Sequence, residues 1–338
     1  MRISLCLEKN NTPSRIPAVM EDPYADELSA ACAAVRAAAS VYMNAADPRS
    51  SEKKNAVGSY DTVTDADTAA QEAAVSAILS VFPDDRIIAE EGRDGDLTGE
   101  RTWIIDPIDG TLNYQHGIPF YGTQAVLAVD KEPVMSAILL PALGELFTAT
   151  AASGARLNGE PVCAHPEREL RQCIVSTGDF SRKSQEWRDG HYRIIGAMKD
   201  RVARIRMFGA ACSDFAYLSA GRTDIHIRYV NKLWDFLPGL FMARVSGAYV
   251  DEELLAEKRF LLLSGTEKAG RAFREQVLEG TDFRAGWKYL RFYNISCGIG
   301  QRSRLITTCS CRGRTLSFRD ASPSRNLSPI PWTAAPCR

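Results

Sequence analysis

What the chain lacks narrows it first. No apolar run approaches the ~20 residues that cross a bilayer. The stretch from Met1 to Arg15 has too short an apolar core for a secretory signal. A net charge of −1 over 338 residues gives no global pull toward nucleic acid or anionic membrane. There are only 4 histidines, and none stands in a ligand pattern with cysteine or carboxylate. The 9 cysteines include no C-x-x-C pair, and Cys309-Ser310-Cys311 is too close for the common zinc spacing. Reduced thiols in the cytoplasm are therefore expected. Residues 281–338 are poor in acids, rich in Arg, Ser and Cys, and hold no helix or strand period. That composition predicts a disordered tail, and residues 1–21 read as an irregular extension.

What is there is ordinary globular protein, 45% apolar and 25% charged. Residues 22–46 are alanine-rich, with Leu28, Cys32, Val35 and Ala39 on one helical stripe. Asp61-Thr62-Val63-Thr64-Asp65-Ala66-Asp67 leads into a second helix, with Thr64 and Asp67 spaced as in a cap. Residues 85–91 form a short strand ending in Glu90-Glu91. Residues 123–129, 133–140 and 145–151 are strand-like and separated by short turns, which predicts an antiparallel meander. From about residue 170, strands and helices alternate, which argues for an α/β half. The expected fold is an α+β half (22–168) joined to an α/β half (169–280).

The stretch WIIDPIDGTLNY, residues 103–114, carries the chemistry. Phosphatases with an aspartyl nucleophile use Asp-x-Asp, which keeps both carboxylates on one side of a strand. Here two residues intervene between Asp106 and Asp109, so on a continuous strand the two would face apart. They converge if the strand stops between them, and Pro107 helps to stop it by fixing φ and removing an N–H. The Ile108 carbonyl could then join them, a set of three oxygens suited to a hard cation such as Mg²⁺. Gly110 allows close backbone approach, and Thr111 opens a helix whose first N–H groups suit a phosphate. Metal-bridged phosphoryl transfer to water needs both features. A lone Asp-Gly would be read as a turn and a cap.

The ordered signals resemble the inositol monophosphatase family of metal-dependent sugar phosphatases. Residues 103–114 match its W-I-x-D-P-I/L-D-G-T-x-N-F/Y signature. Asp61–Asp67, Glu90-Glu91, the turn Gly154–Gly159 and Trp234-Asp235 match its other motifs in order. The resemblance implies a layered αβαβα fold, a homodimer, Mg²⁺ dependence and inhibition by Li⁺. It implies that Glu90, Asp106, the Ile108 carbonyl, Asp109 and Asp235 hold metal. It also implies that Thr111 orients the attacking water with Asp67 as its partner and Glu90 alongside. The Gly110 and Thr111 N–H groups would receive phosphate, and Gly209-Ala210-Ala211 would line the pocket. The implied substrate is a small soluble sugar or polyol phosphate, with no nucleic acid or membrane as partner. Histidinol phosphate, fructose 1,6-bisphosphate and adenosine 3′,5′-bisphosphate are alternatives, and a catalytically silent metal- and phosphate-binding regulator is a rival of another class.

Two departures stand out. Inositol-specific members carry a glutamate seven residues before the W-D aspartate, where this chain has Arg228. A guanidinium there is expected to bind a second anionic group of the substrate. After Trp234-Asp235 the family has small residues, whereas this chain has Phe236-Leu237-Pro238-Gly239. Reading that helix from residue 235 puts Pro238 in its first turn, where proline is tolerated.

Overall fold

In the computed structural model, the described residues are 22–45, 65–164, 166–180, 185–230, 232–257 and 259–284, with the backbone of 310–311 and 314–315. Asp61–Thr64, and so the cap expected from Thr64, lie outside them, as do residues 1–21 and nearly all of the expected tail.

Helix α1 (Ala25–Met43) follows from alanine's helix propensity, with Asp26 and Glu27 in its positive first turn. Its buried face is mostly alanine (Ala30, Ala31, Ala34, Ala38), which lets it lie close against α2 (Asp65–Leu79). The first sheet runs in chain order through β1 (Arg86–Ala89), β2 (Thr102–Asp109), β3 (Gly122–Val129), β4 (Glu132–Leu140), β5 (Glu145–Thr150), β6 (Gly154–Leu157) and β7 (Glu160–Pro161). Strand β1 is parallel to β2, and every later pairing is antiparallel. The short helix α3 (Thr111–His116) joins β2 to β3. The β6–β7 turn is Asn158-Gly159, both with positive φ, as a two-residue hairpin demands.

The second half holds β8 (Ile174–Thr177), α4 (Gln185–Met198), β9 (Arg204–Arg206), α5 (Ala211–Ser219), β10 (Ile225–Tyr229), α6 (Leu233–Val245), β11 (Tyr249–Val250), α7 (Glu252–Ala256), β12 (Phe260–Ser264) and α8 (Glu267–Phe273). Its sheet order is β11-β12-β10-β8-β9. Strand β8 is parallel to both neighbours, while β12 is antiparallel to β10 and β11. Elements β11 and α7 are too short to register as a period, so they were not expected from the pattern.

Side-chain packing defines five layers, as the resemblance implied. Helices α1 and α2 cover one face of the first sheet through Trp103, Ile105, Ala125 and Leu127. The opposite face, with Ile104, Val126 and Ala128, packs on α5 and α6. Those helices meet the second sheet through Leu261 and Leu263. The alternate residues Phe260 and Leu262 face α4 and α8 on the outside. Helix α6 lies between two sheets and is apolar all round, which is why Phe236 and Leu237 are bulky. Gly239 makes room in turn for Phe215 of α5: a Cβ at 239 would fall 2.2 Å from the Phe215 ring. Because α6 begins at Leu233, Pro238 sits in the second turn and not the first. It drops one helical hydrogen bond there, and the Ser136 hydroxyl donates to its carbonyl at 2.9 Å.

Phe283, within the segment read as an atypical tail, is buried against Phe260, with ring centroids 5.2 Å apart, and its carbonyl accepts from the Tyr229 hydroxyl at 3.3 Å. A chain ending at residue 285 should keep its activity, whereas one ending at 280 should lose about 3 kcal/mol through the missing aromatic. Chemical denaturation of both truncations checks this; equal midpoints would mean that Phe283 contributes nothing.

Candidate active site

The two aspartates of WIIDPIDG do converge, but not because the strand stops. Strand β2 continues through Asp109, and Asp106 lies opposite Gln124 while Asp109 lies opposite Gly122. Three steps on β2 match two on β3, so one extra residue bulges out. The bulge restores the period: Ile105 and Ile108 both join the α1/α2 core, leaving Asp106 and Asp109 for the other face. Pro107 suits the bulge because the extra residue has no ladder bond to give. Its carbonyl accepts from the Thr123 hydroxyl at 2.8 Å, and Thr123 lies 3.1 Å from the Tyr42 hydroxyl of α1. A buried chain of hydroxyls thus pins the bulge from behind. Thr123→Val keeps the shape and removes the donor. It should weaken divalent-cation binding about tenfold, while Thr123→Ser should restore it. Isothermal titration is the check, and unchanged affinity in the valine variant would show that the bulge holds itself.

Gly110 has φ +85°, and a Cβ there would fall 2.8 Å from the Ala210 Cβ, so only glycine brings this turn against the 209–211 segment. Asn113 of α3 ties the same region together, donating to the carbonyls of Phe120 (2.6 Å) and Phe208 (2.7 Å). Asp109 Oδ2 accepts the backbone N–H of Cys212 in the first turn of α5, which fixes its carboxylate at a positive helix end. The Thr111 hydroxyl, with a single proton, lies 2.9 Å from the Ile108 carbonyl and 3.2 Å from Asp67 Oδ1. Asp67 is buried on α2, and Gln71 stands one turn later on the same face. Gln71 grips the end of β1 in both directions: its amide donates to the Glu91 carbonyl (2.7 Å) and accepts the Glu91 N–H (2.8 Å). That clamp sets the backbone beside Glu90. Asp235 enters from the first turn of α6.

The expected carboxylates Asp67, Glu90, Asp106, Asp109 and Asp235 therefore come from α2, the end of β1, β2 and α6 into electrostatic reach of one another. Glu90 keeps a solvent-exposed face at the rim, yet desolvation, then the charges of Asp235, Glu91, Asp67 and Asp109, push its carboxyl well above the usual range. Burial, then Glu90, Asp109 and Asp235, do the same to Asp106. Asp106 Oδ1 is buried without a well-formed hydrogen bond, with the Gln124 amide opposite it as the nearest group that favours its anion. Such a group needs an explanation, and a cation is the one that also offsets the repulsion. Among the described residues, no three His, Cys, Asp or Glu side chains are gathered as tightly as an ion would require. The carboxylates lie within electrostatic range of one another. The donor set, hard oxygens only, fits a divalent cation such as Mg²⁺.

Arg228 extends from β10 with its guanidinium 3.9 Å from Asp235 Oδ2. His226, two residues earlier, gave no pattern in the sequence. It is fully buried, 2.9 Å from the Ser176 hydroxyl and 3.9 Å from Asp214 of α5. Neither Asp214 nor Gln71 was singled out beforehand. The i, i+4 spacing of Asp67 and Gln71 is the one signal that could have pointed to Gln71.

Comparison with known proteins supplies the family. The model of the inositol monophosphatase family matches residues 24–278. A Thermotoga maritima protein named fructose-1,6-bisphosphatase/inositol-1-monophosphatase is 36% identical over 201 residues, 60% of this chain and 74% of its own. The Nus factor SuhB of Escherichia coli K12 is 33% identical over 198 residues, 58% of this chain and 73% of its own. Among solved structures, the Thermotoga maritima IMPase superposes with a TM-score of 0.62 at 30% identity, covering 75% of this chain and 97% of that one. The chain belongs to the inositol monophosphatase family, a metal-dependent family of phosphoric monoester hydrolases.

Proposed function

We propose that the chain is a Mg²⁺-dependent phosphomonoesterase that hydrolyses a small soluble sugar or polyol phosphate with water as nucleophile. The observation that carries this reading is the bulge, which turns Asp106 and Asp109 to one face, with Asp106 Oδ1 lacking a well-formed hydrogen bond among mutually repelling carboxylates. Glu90, Asp106, the Ile108 carbonyl, Asp109 and Asp235 would hold the cation. A bound divalent ion supplies Lewis acidity, lowering the pKa of water and screening the phosphate. The remaining steps belong to the chain. The Thr111 hydroxyl oxygen accepts a hydrogen bond from the incoming water and orients it; as the water attacks, its proton passes to the Thr111 oxygen while the Thr111 proton passes to Asp67, so that Thr111 ends as a hydroxyl again. Glu90, at the rim, lies beside the attack path as a second acceptor. The N–H groups of Gly110 and Thr111 receive phosphate oxygens, and the 209–211 segment bounds the pocket.

The names of the relatives leave two readings of substrate and role open to experiment. One similar protein is named for fructose 1,6-bisphosphate as well as inositol 1-phosphate, and others are named as a Nus factor. A panel of phosphomonoesters, assayed for phosphate release with added Mg²⁺, separates them. Turnover of polyol or sugar monophosphates supports the proposal. No release from any ester would favour a silent binding role. The resemblance extends the proposal to a cytoplasmic homodimer, which mass measurement in solution checks.

Lithium gives a further expectation. The resemblance gives Asp109 and Asp235 to a second cation position, and with both in place millimolar Li⁺ at fixed Mg²⁺ should inhibit turnover. A flat Li⁺ titration would argue against a second cation position of the expected kind.

A further inference from the structure

Arg228 sits among acids. Its side chain is 18% exposed, and its guanidinium lies 3.9 Å from Asp235 Oδ2. On the other side, a Cβ at Gly178 would come within 3.3 Å of a guanidinium nitrogen, so β8's end packs directly on it. Burial opposes its charge, but Asp235, Asp109, Asp214 and Asp179 together hold it protonated. Asp214 is fully buried, with the Ser176 hydroxyl and the Arg228 charge as the groups that favour its anion. The nearby His226 supplies no positive charge, because burial, and then Arg228 itself, lower its pKa to about 3. Among the described residues, the cation facing these acids is thus the guanidinium, which keeps its charge at any physiological pH.

We propose that Arg228 is a resident counter-ion of the carboxylate cluster: its fixed charge beside Asp235 sets how tightly the second Mg²⁺ binds, and it acts as a positioning residue instead of reading the substrate. The proposal rests on the phosphatase reading above. A fixed charge next to a metal-ligating carboxylate eases the repulsion among the acids when no ion is bound, and it repels an arriving divalent ion. The family position is otherwise a glutamate in inositol-specific members, so the substitution reverses the sign of the charge beside the second metal position.

The test uses the full chain, stripped of metal, in three forms: wild type, Arg228→Gln and Arg228→Lys. Isothermal titration with Mg²⁺ should find the weaker binding step about tenfold tighter in the glutamine variant and near wild type in the lysine variant. Thermal unfolding should show the glutamine variant less stable in chelator, with a larger rise on adding Mg²⁺. The kcat/KM for a sugar bisphosphate and for a neutral polyol phosphate should shift together. Unchanged Mg²⁺ binding with a loss confined to the bisphosphate would overturn the proposal and make Arg228 a substrate-reading residue. A glutamine variant that is unfolded with and without Mg²⁺ would also overturn it. Wild-type protein that binds no Mg²⁺ at all would instead sink the phosphatase reading, whatever Arg228 does.

Discussion

Asp106→Asn should lower phosphate release to less than about one-thousandth of the wild-type rate, a loss of roughly 4 kcal/mol of transition-state stabilisation. The side chain keeps its size and its place just before the bulge, so the loss would come from the charge. The same variant should be more stable than wild type in chelator at neutral pH. Asp106 is a buried acid whose folded pKa is raised, by burial first and by Glu90, Asp109 and Asp235 next. The folded state therefore binds its proton when the unfolded state has released it, and wild-type stability falls as pH rises above the ordinary carboxylate value of about 3.9. Asparagine has no such penalty. The advantage of the variant should grow with pH through that window and vanish in acid. Thermal unfolding in chelator across pH, beside the activity assay, checks both halves. An inactive variant that is also less stable at neutral pH would mean that Asp106 serves the fold.

Thr111→Val should cost about 10²–10³-fold in kcat with little change in metal affinity. Valine keeps the branched shape at the start of α3 but removes the hydroxyl that lies 3.2 Å from Asp67 and 2.9 Å from the Ile108 carbonyl. Thr111→Ser should recover most of the rate. A valine variant that turns over at the wild-type rate would remove Thr111 and Asp67 from the water-orienting role and leave them as a helix-start contact.

The fold was legible wherever a period ran long enough. Strands β3, β4 and β5 announced themselves by apolar runs between turns, and α4, α5 and α8 by their alternation with strands. Strands β6 and β7 were visible only as the turn around Asn158-Gly159, because they hold only 4 and 2 residues. At the site, residue types and order were legible, and geometry was not. Pro107 suggested a break, whereas a bulge does the work, and telling the two apart needs the register against Gln124 and Gly122. Gln71 shares a helix face with Asp67, but its clamp on Glu91 is a contact across 20 residues of chain that no local pattern encodes. Arg228 was conspicuous as a substitution. What it faces, Asp235 at 3.9 Å and the buried Asp214, depends on how β10 packs against α5 and α6. His226 carried no signal for the same reason.

The central claim is that the carboxylates gathered by the β2 bulge form a metal-dependent centre for phosphate ester hydrolysis. The most direct measurement is the rate of phosphate release from a simple polyol phosphate by the full-length chain, first in excess chelator and then after Mg²⁺ is restored. The account predicts no release above background in chelator and full recovery with Mg²⁺. Release that proceeds undiminished in chelator would contradict it.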